Sequence, residues 1–135
     1  MGHVRIIFLG LLFFGFLPNS KGQTNHPLAE VIEQVSNQWK QDSNSCKGYR
    51  LKVFKDVLKS QIDSTSKEFI FSKFGKPNQI QKFYSGNTKK SYVGYIYFVY
   101  KDRCPKIELD GFAIQFVFDE SERYLVEISE IEYCG

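Results

Sequence analysis

The stretch KFGKPNQIQKFYSG, residues 73–86, splits the chain into two parts with different periodicities. Upstream, apolar residues recur at the 3.6-residue spacing of amphipathic helices; downstream they gather in short β-branched and aromatic runs. Gly75 accepts the left-handed backbone that closes a helix, and Pro77, without an N–H, cannot continue one. A chain that is helical before such a stop and strand-forming after it is not an alternating βαβ chain. The pattern predicts an α+β fold.

Leu28, Val31, Ile32, Val35 and Trp39 make one stripe of a first helix, with Asn25 or Thr24 as its cap and Pro27 in its first turn. The cluster DSNSCKG, 42–48, is a loop. A second helix follows over 49–61, with Leu51, Phe54, Val57, Leu58 and Ile62 as its apolar face. A third opens on a capping box, with Thr65 and Glu68 closing each other's orphan groups. Strands are predicted at 79–84, at 91–101, within DGFAIQFVFDE (110–120) and at 124–133, and a parity change in the last places a bulge near Glu130. Ile114, Phe116 and Phe118 share one face of the third strand, and Val126 and Ile128 share one of the fourth. Two to three helices are therefore expected on one face of a four-stranded antiparallel meander.

The N-terminus has a separate role. Arg5 precedes the apolar run IIFLGLLFFGFL, residues 6–17, which Pro18 and Asn19 break before Ser20-Lys21-Gly22. These are the parts of a secretory signal peptide cut after Gly22. The run is shorter than the ~20 residues a membrane-spanning helix needs, so no permanent membrane anchor is expected. Residues 23–135 are read as one exported domain, periplasmic or secreted. Cleavage removes Arg5 and Lys21, leaving 16 basic against 15 acidic residues. This balance gives no support to nucleic-acid binding.

Cys46, Cys104 and Cys134 are the only cysteines. In an oxidising compartment three cysteines imply one disulfide and one thiol. In an up-and-down sheet Cys104 and Cys134 leave at the same end, which favours that pair and a free Cys46; Cys46 bonded to one of them is the alternative. No short CxxC spacing is present, and no metal or cofactor is expected.

Catalytic signatures are missing: there is no G-x-S-x-G, no H-E-x-x-H and no P-loop. The carboxylates of the strand half are scattered. Tyrosine is in excess instead. Tyr95 and Tyr97 share one face of the second strand by parity, and Tyr92 and Tyr100 share the other. With Trp39 and Arg50 these tyrosines form the candidate interaction face, because half-buried tyrosines combine rigid contact area with a polar tip; they suit a plain β-sheet surface as well.

F-G-K-P at 74–77, the tyrosine-rich strand and F-V-F-D-E-S-E-R-Y-L-V at 116–126 together resemble the SmpA/OmlA (BamE-like) domain over about residues 50–131. The same helix–helix–sheet plan occurs in β-lactamase-inhibitor-like domains. The segment W-K-Q-D-S-N-S-C-K-G-Y-R, 39–50, is similar to small secreted proteins of Bacteroidota. The resemblance implies an envelope interaction protein without catalytic residues. Members of the BamE-like family are usually lipoproteins, whereas no lipobox cysteine follows the apolar run here. The expected protein is a monomer that binds another envelope or secreted protein; a small hydrolase or ligand-binding protein with a site between helices and sheet is the alternative. Thiol titration of the denatured, unreduced mature chain is expected to give one free thiol per chain, and none or three would refute the single disulfide.

Overall fold

The computed structural model describes residues 26–101 and 111–133. Three helices come first, α1 (Leu28–Gln41), α2 (Tyr49–Lys59) and α3 (Lys67–Phe74), followed by β1 (Gln79–Ser85), β2 (Lys90–Lys101), β3 (Gly111–Asp119) and β4 (Leu125–Tyr133). The strands form one antiparallel meander in the order β1-β2-β3-β4. This is the expected α+β architecture, with the helices N-terminal to the sheet.

One core joins the two layers. Leu28, Ile32 and Trp39 of α1, Phe54 and Val57 of α2, and Ile70 and Phe74 of α3 pack on Val93, Tyr95, Tyr97, Ile114, Phe116 and Phe118. Trp39 stacks on Phe74 with ring centres 4.3 Å apart, and Tyr97 meets both edge-on. Edge-to-face and offset pairs of this kind add to the area they bury.

Caps and phases depart from the local pattern. The α1 N-terminus receives its carboxylate from Asp63, whose Oδ2 accepts the Ala29 N–H at 3.0 Å. Asp63 Oδ1 also takes the Thr65 N–H and hydroxyl. Thr65 is therefore occupied, and Ser66 becomes the α3 cap, accepting from the Phe69 N–H. α2 is rotated from its expected phase: Arg50, Val53, Phe54 and Val57 face inward, while Leu51 and Ile62 are exposed. Arg50 is drawn inward by the acceptors described below.

In the sheet, the bulge expected near Glu130 falls instead at Val126. Phe118 pairs with Leu125 and Val117 with Glu127, so Leu125 is buried and Val126 is left exposed. A second bulge lies between Phe98 and Tyr100. It sets Tyr100 opposite Phe112, with which it stacks, on the helix side of the sheet rather than on the face of Tyr92.

The helix stop has its own backbone geometry. Gly75 has φ 81° and ψ −164°, a region that essentially only glycine occupies. An added Cβ would meet nothing within 4 Å, so any penalty for a side chain comes from the backbone alone. Gly75→Ala is expected to destabilise the fold by about 1–3 kcal/mol in urea unfolding. An unchanged midpoint would refute this reading of the junction.

Candidate functional site

The residues singled out from sequence separate into an interior set and an exposed set. Arg50, Trp39, Tyr95 and Tyr97 are buried, so they cannot form an interaction face in the folded chain. Parity correctly put Tyr95 and Tyr97 together, but on the face that the helices cover. Only Tyr92 and Tyr100 of the six reach the surface, and they lie on opposite sides of the sheet.

Arg50 is an internal clasp. Its Nε donates to the Trp39 carbonyl at 3.3 Å and its Nη1 to the Phe98 carbonyl at 2.8 Å, which ties α1 and β2 through α2. The guanidinium lies 4.8 Å from the centre of the Trp39 ring. Burial lowers its pKa to about 10, while the nearby charge of Asp42 opposes the shift. Asp42 is buried as well, and accepts the Lys47 and Arg50 backbone N–H groups at 2.8 and 3.2 Å. It thereby serves α2 in place of a side-chain cap at Gly48. Arg50 and Asp42 are thus engaged by groups of the chain itself.

Asn78 completes the junction that the glycine begins. Its N–H donates to the Ile96 carbonyl and its Oδ1 accepts the Phe98 N–H, at 2.8 and 2.9 Å. Tyr97 donates its hydroxyl to the Gly75 carbonyl at 2.9 Å. Burial raises the Tyr97 pKa, so this hydroxyl stays protonated. The residues after the helix stop thus fix the start of β1 against β2.

The exposed set centres on β1, which among the described residues pairs on one side only, with β2. Six of its seven residues are exposed, among them Ile80, Phe83 and Tyr84. Phe83 stacks on Tyr92 of β2 at 5.7 Å. Beside the strand is an open cleft of about 310 Å³, lined by Lys82, Tyr84, Tyr92, Glu120 and Glu122 among others. Sequence reasoning singled out neither Ile80 nor Phe83; their place on an edge strand was the signal that could have found them.

Glu122 anchors the far end of this cleft. Its φ of 58° is unusual for a residue with a side chain. In that conformation its Oε2 accepts from the Tyr95 hydroxyl at 2.6 Å and pairs with Lys67. The Asp119 carboxylate holds the same turn by accepting the Arg123 and Tyr124 N–H groups. Burial and then Glu122 push the Tyr95 hydroxyl upward in pKa.

Cys46 is disulfide-bonded, which agrees with the alternative in which it pairs with Cys104 or Cys134 rather than with a free Cys46. Cys104 and Cys134, the candidates for its partner, lie outside the described residues. Among the described residues no cluster of three His, Cys, Asp or Glu is placed to hold a metal ion, and no helix is long and apolar enough to cross a membrane. No family model, curated protein or solved structure matches the chain.

The Lys67 contact, then the Tyr95 hydrogen bond, hold the Glu122 carboxyl below its ordinary pKa. A depressed pKa in the folded state contributes stability above the unfolded value of about 4.3, and that contribution is lost as acid titrates the folded carboxylate. Glu122→Gln is therefore expected to lower the urea midpoint at neutral pH and to converge on the parent protein in acid. A difference that is the same at both ends of the pH range would contradict the arrangement.

Proposed function

We propose that this chain is an exported, non-enzymatic binding protein of the bacterial envelope, built on a BamE-like plan, and that it takes its protein partner along β1. The exposed edge strand carries the proposal. An edge strand presents a row of outward N–H and C=O groups to any extended segment beside it. Natural edges are commonly blunted by charges, prolines or covering elements. β1 has one lysine, Lys82, no proline, and the exposed apolar side chains of Ile80, Phe83 and Tyr84. A partner strand added there would gain main-chain hydrogen bonds, with specificity from alternate side chains. Ile80 and Tyr84 have the parity of the helix side and Phe83 that of the outer side, so both faces of an added strand would meet an apolar group.

The signal-peptide pattern and the BamE-like order of motifs support the envelope setting. The filled interior around Arg50 disfavours the alternative of a hydrolytic or ligand site between helices and sheet, since that site would need those groups accessible.

The double variant Ile80→Glu/Tyr84→Glu tests the edge. Both positions are exposed, so folding stability is expected to stay within about 0.5 kcal/mol of the parent. Mature 23–135 is expected to retain a specific protein from envelope extract and to cross-link to it through β1, and the double variant to lose both. Equal capture by parent and variant, or no specific capture at low ionic strength, would count against the proposal.

A further inference from the structure

The sheet ends in two unlike edges. Among the described residues β1 pairs only with β2, and β4 only with β3. β1 is seven residues long, Gln79–Ser85. Beyond its bulge at Val126, β4 is regular over 127–133, the same length. The charges differ. Lys82 is the single charged residue of β1, whereas β4 carries Glu127, Glu130 and Glu132 and no base. These four side chains are exposed, and none is in an ion pair among the described residues.

Pairing either edge with its own kind brings like charges together. Two copies of β1, antiparallel over their full length, set Lys82 opposite Lys82, because Lys82 is the central residue. Two copies of 127–133 set Glu130 opposite Glu130 in the same way. Like charges directly opposite destabilise a sheet, and opposite charges stabilise it. Pairing β1 with 127–133 over the same length sets Lys82 opposite Glu130. The faces agree in that register. Within one chain Lys82 pairs with Val93 and Glu130 with Ile114, both core residues, so both side chains point to the helix side. Tyr84 then meets Ile128, and Gln81 meets Ile131. Glu127 comes opposite Ser85, beside which Lys90 lies on the same outer face. Direction agrees as well. As first and fourth strands of an antiparallel meander, β1 and β4 run opposite ways, so a copy in the same orientation continues the ladder. The helix side of β1 is open to a neighbour, since Ile80, Lys82 and Tyr84 are exposed.

We infer that the strand taken at β1 is the β4 edge of a second copy of this chain, with Lys82 set against Glu130. This rests on the reading of β1 as the docking edge, names its occupant, and replaces the monomer expected from sequence with a self-associating chain. The contact is heterologous, so each added copy leaves one β1 and one β4 unfilled and growth is open-ended. Four strands at the usual twist turn each copy by roughly 80–100° relative to the last. Each copy is also displaced along that twist axis, so the product is a twisted ribbon and not a ring.

The core residues lie between Leu28 and Leu125, so 23–135 keeps them all. Purified, oxidised 23–135 at low ionic strength is expected to rise in weight-average mass with concentration in sedimentation equilibrium. Lys82→Glu and Glu130→Lys, both exposed and outside the core, are each expected to weaken self-association about tenfold, because each turns the central pair into like charges. An equimolar mixture of the two variants is expected to recover it, since every contact between unlike variants again sets Lys against Glu. A photo-reactive benzoylphenylalanine in place of Tyr84 is expected to cross-link between copies, to residues 127–129. A single-chain mass at every concentration would overturn the inference, and capture from envelope extract then remains the separate test of the β1 edge. Self-association that either charge reversal leaves unchanged, no recovery in the mixture, or a cross-link to the helices or to β1 of the other copy would overturn it too.

Discussion

The bonds that the buried Asp42 and Arg50 side chains make to the backbone are the constraint on which the arrangement of layers depends. One carboxylate closes the start of α2, and the guanidinium eight positions on binds carbonyls of α1 and β2. A charge this deep is tolerated only when its polar atoms are satisfied, and here backbone groups satisfy both: carbonyls of Trp39 and Phe98 for the guanidinium, the Lys47 and Arg50 N–H groups for the carboxylate. These bonds tie the three elements together. The Trp39–Phe74–Tyr97 cluster then fills the space that the clasp defines.

This division of labour separates the aromatic residues by role. Those facing the helices are committed to packing, and their hydroxyls are spent on Gly75 and Glu122. The exposed apolar groups lie at the periphery, on both faces of β1. Interior chemistry and surface recognition thus do not compete for the same side chains.

Much of the fold was legible because it rests on local signals: amphipathic stripes in α1, glycine and proline at the stop, and alternation in β3. What was missed depends on distant partners. The α2 phase could not be read from spacing, because Arg50 reads as a polar-face residue until the Trp39 and Phe98 carbonyls are in place. Thr65 looked like a cap, and only Asp63 diverts it. The bulges at Val126 and between Phe98 and Tyr100 reassign side chains to opposite faces, which a strict two-residue period cannot anticipate. The interaction face was misassigned for a related reason: tyrosine is as suited to a core as to a surface, and only the side on which the helices land decides which.

The aspartate that finishes α1 has a consequence for the order in which the chain is completed. Ala29 finds its carboxylate acceptor 34 positions later, at Asp63. A nascent chain that stops short of that residue holds a first helix without its cap. Short helices are marginal in water without tertiary support, so α1 gains its full stability only once α2 has been made and the chain has turned back. The cap therefore ties the segment after α2 back to the start of α1, and the helical layer closes on itself through a residue that precedes every strand in the sequence.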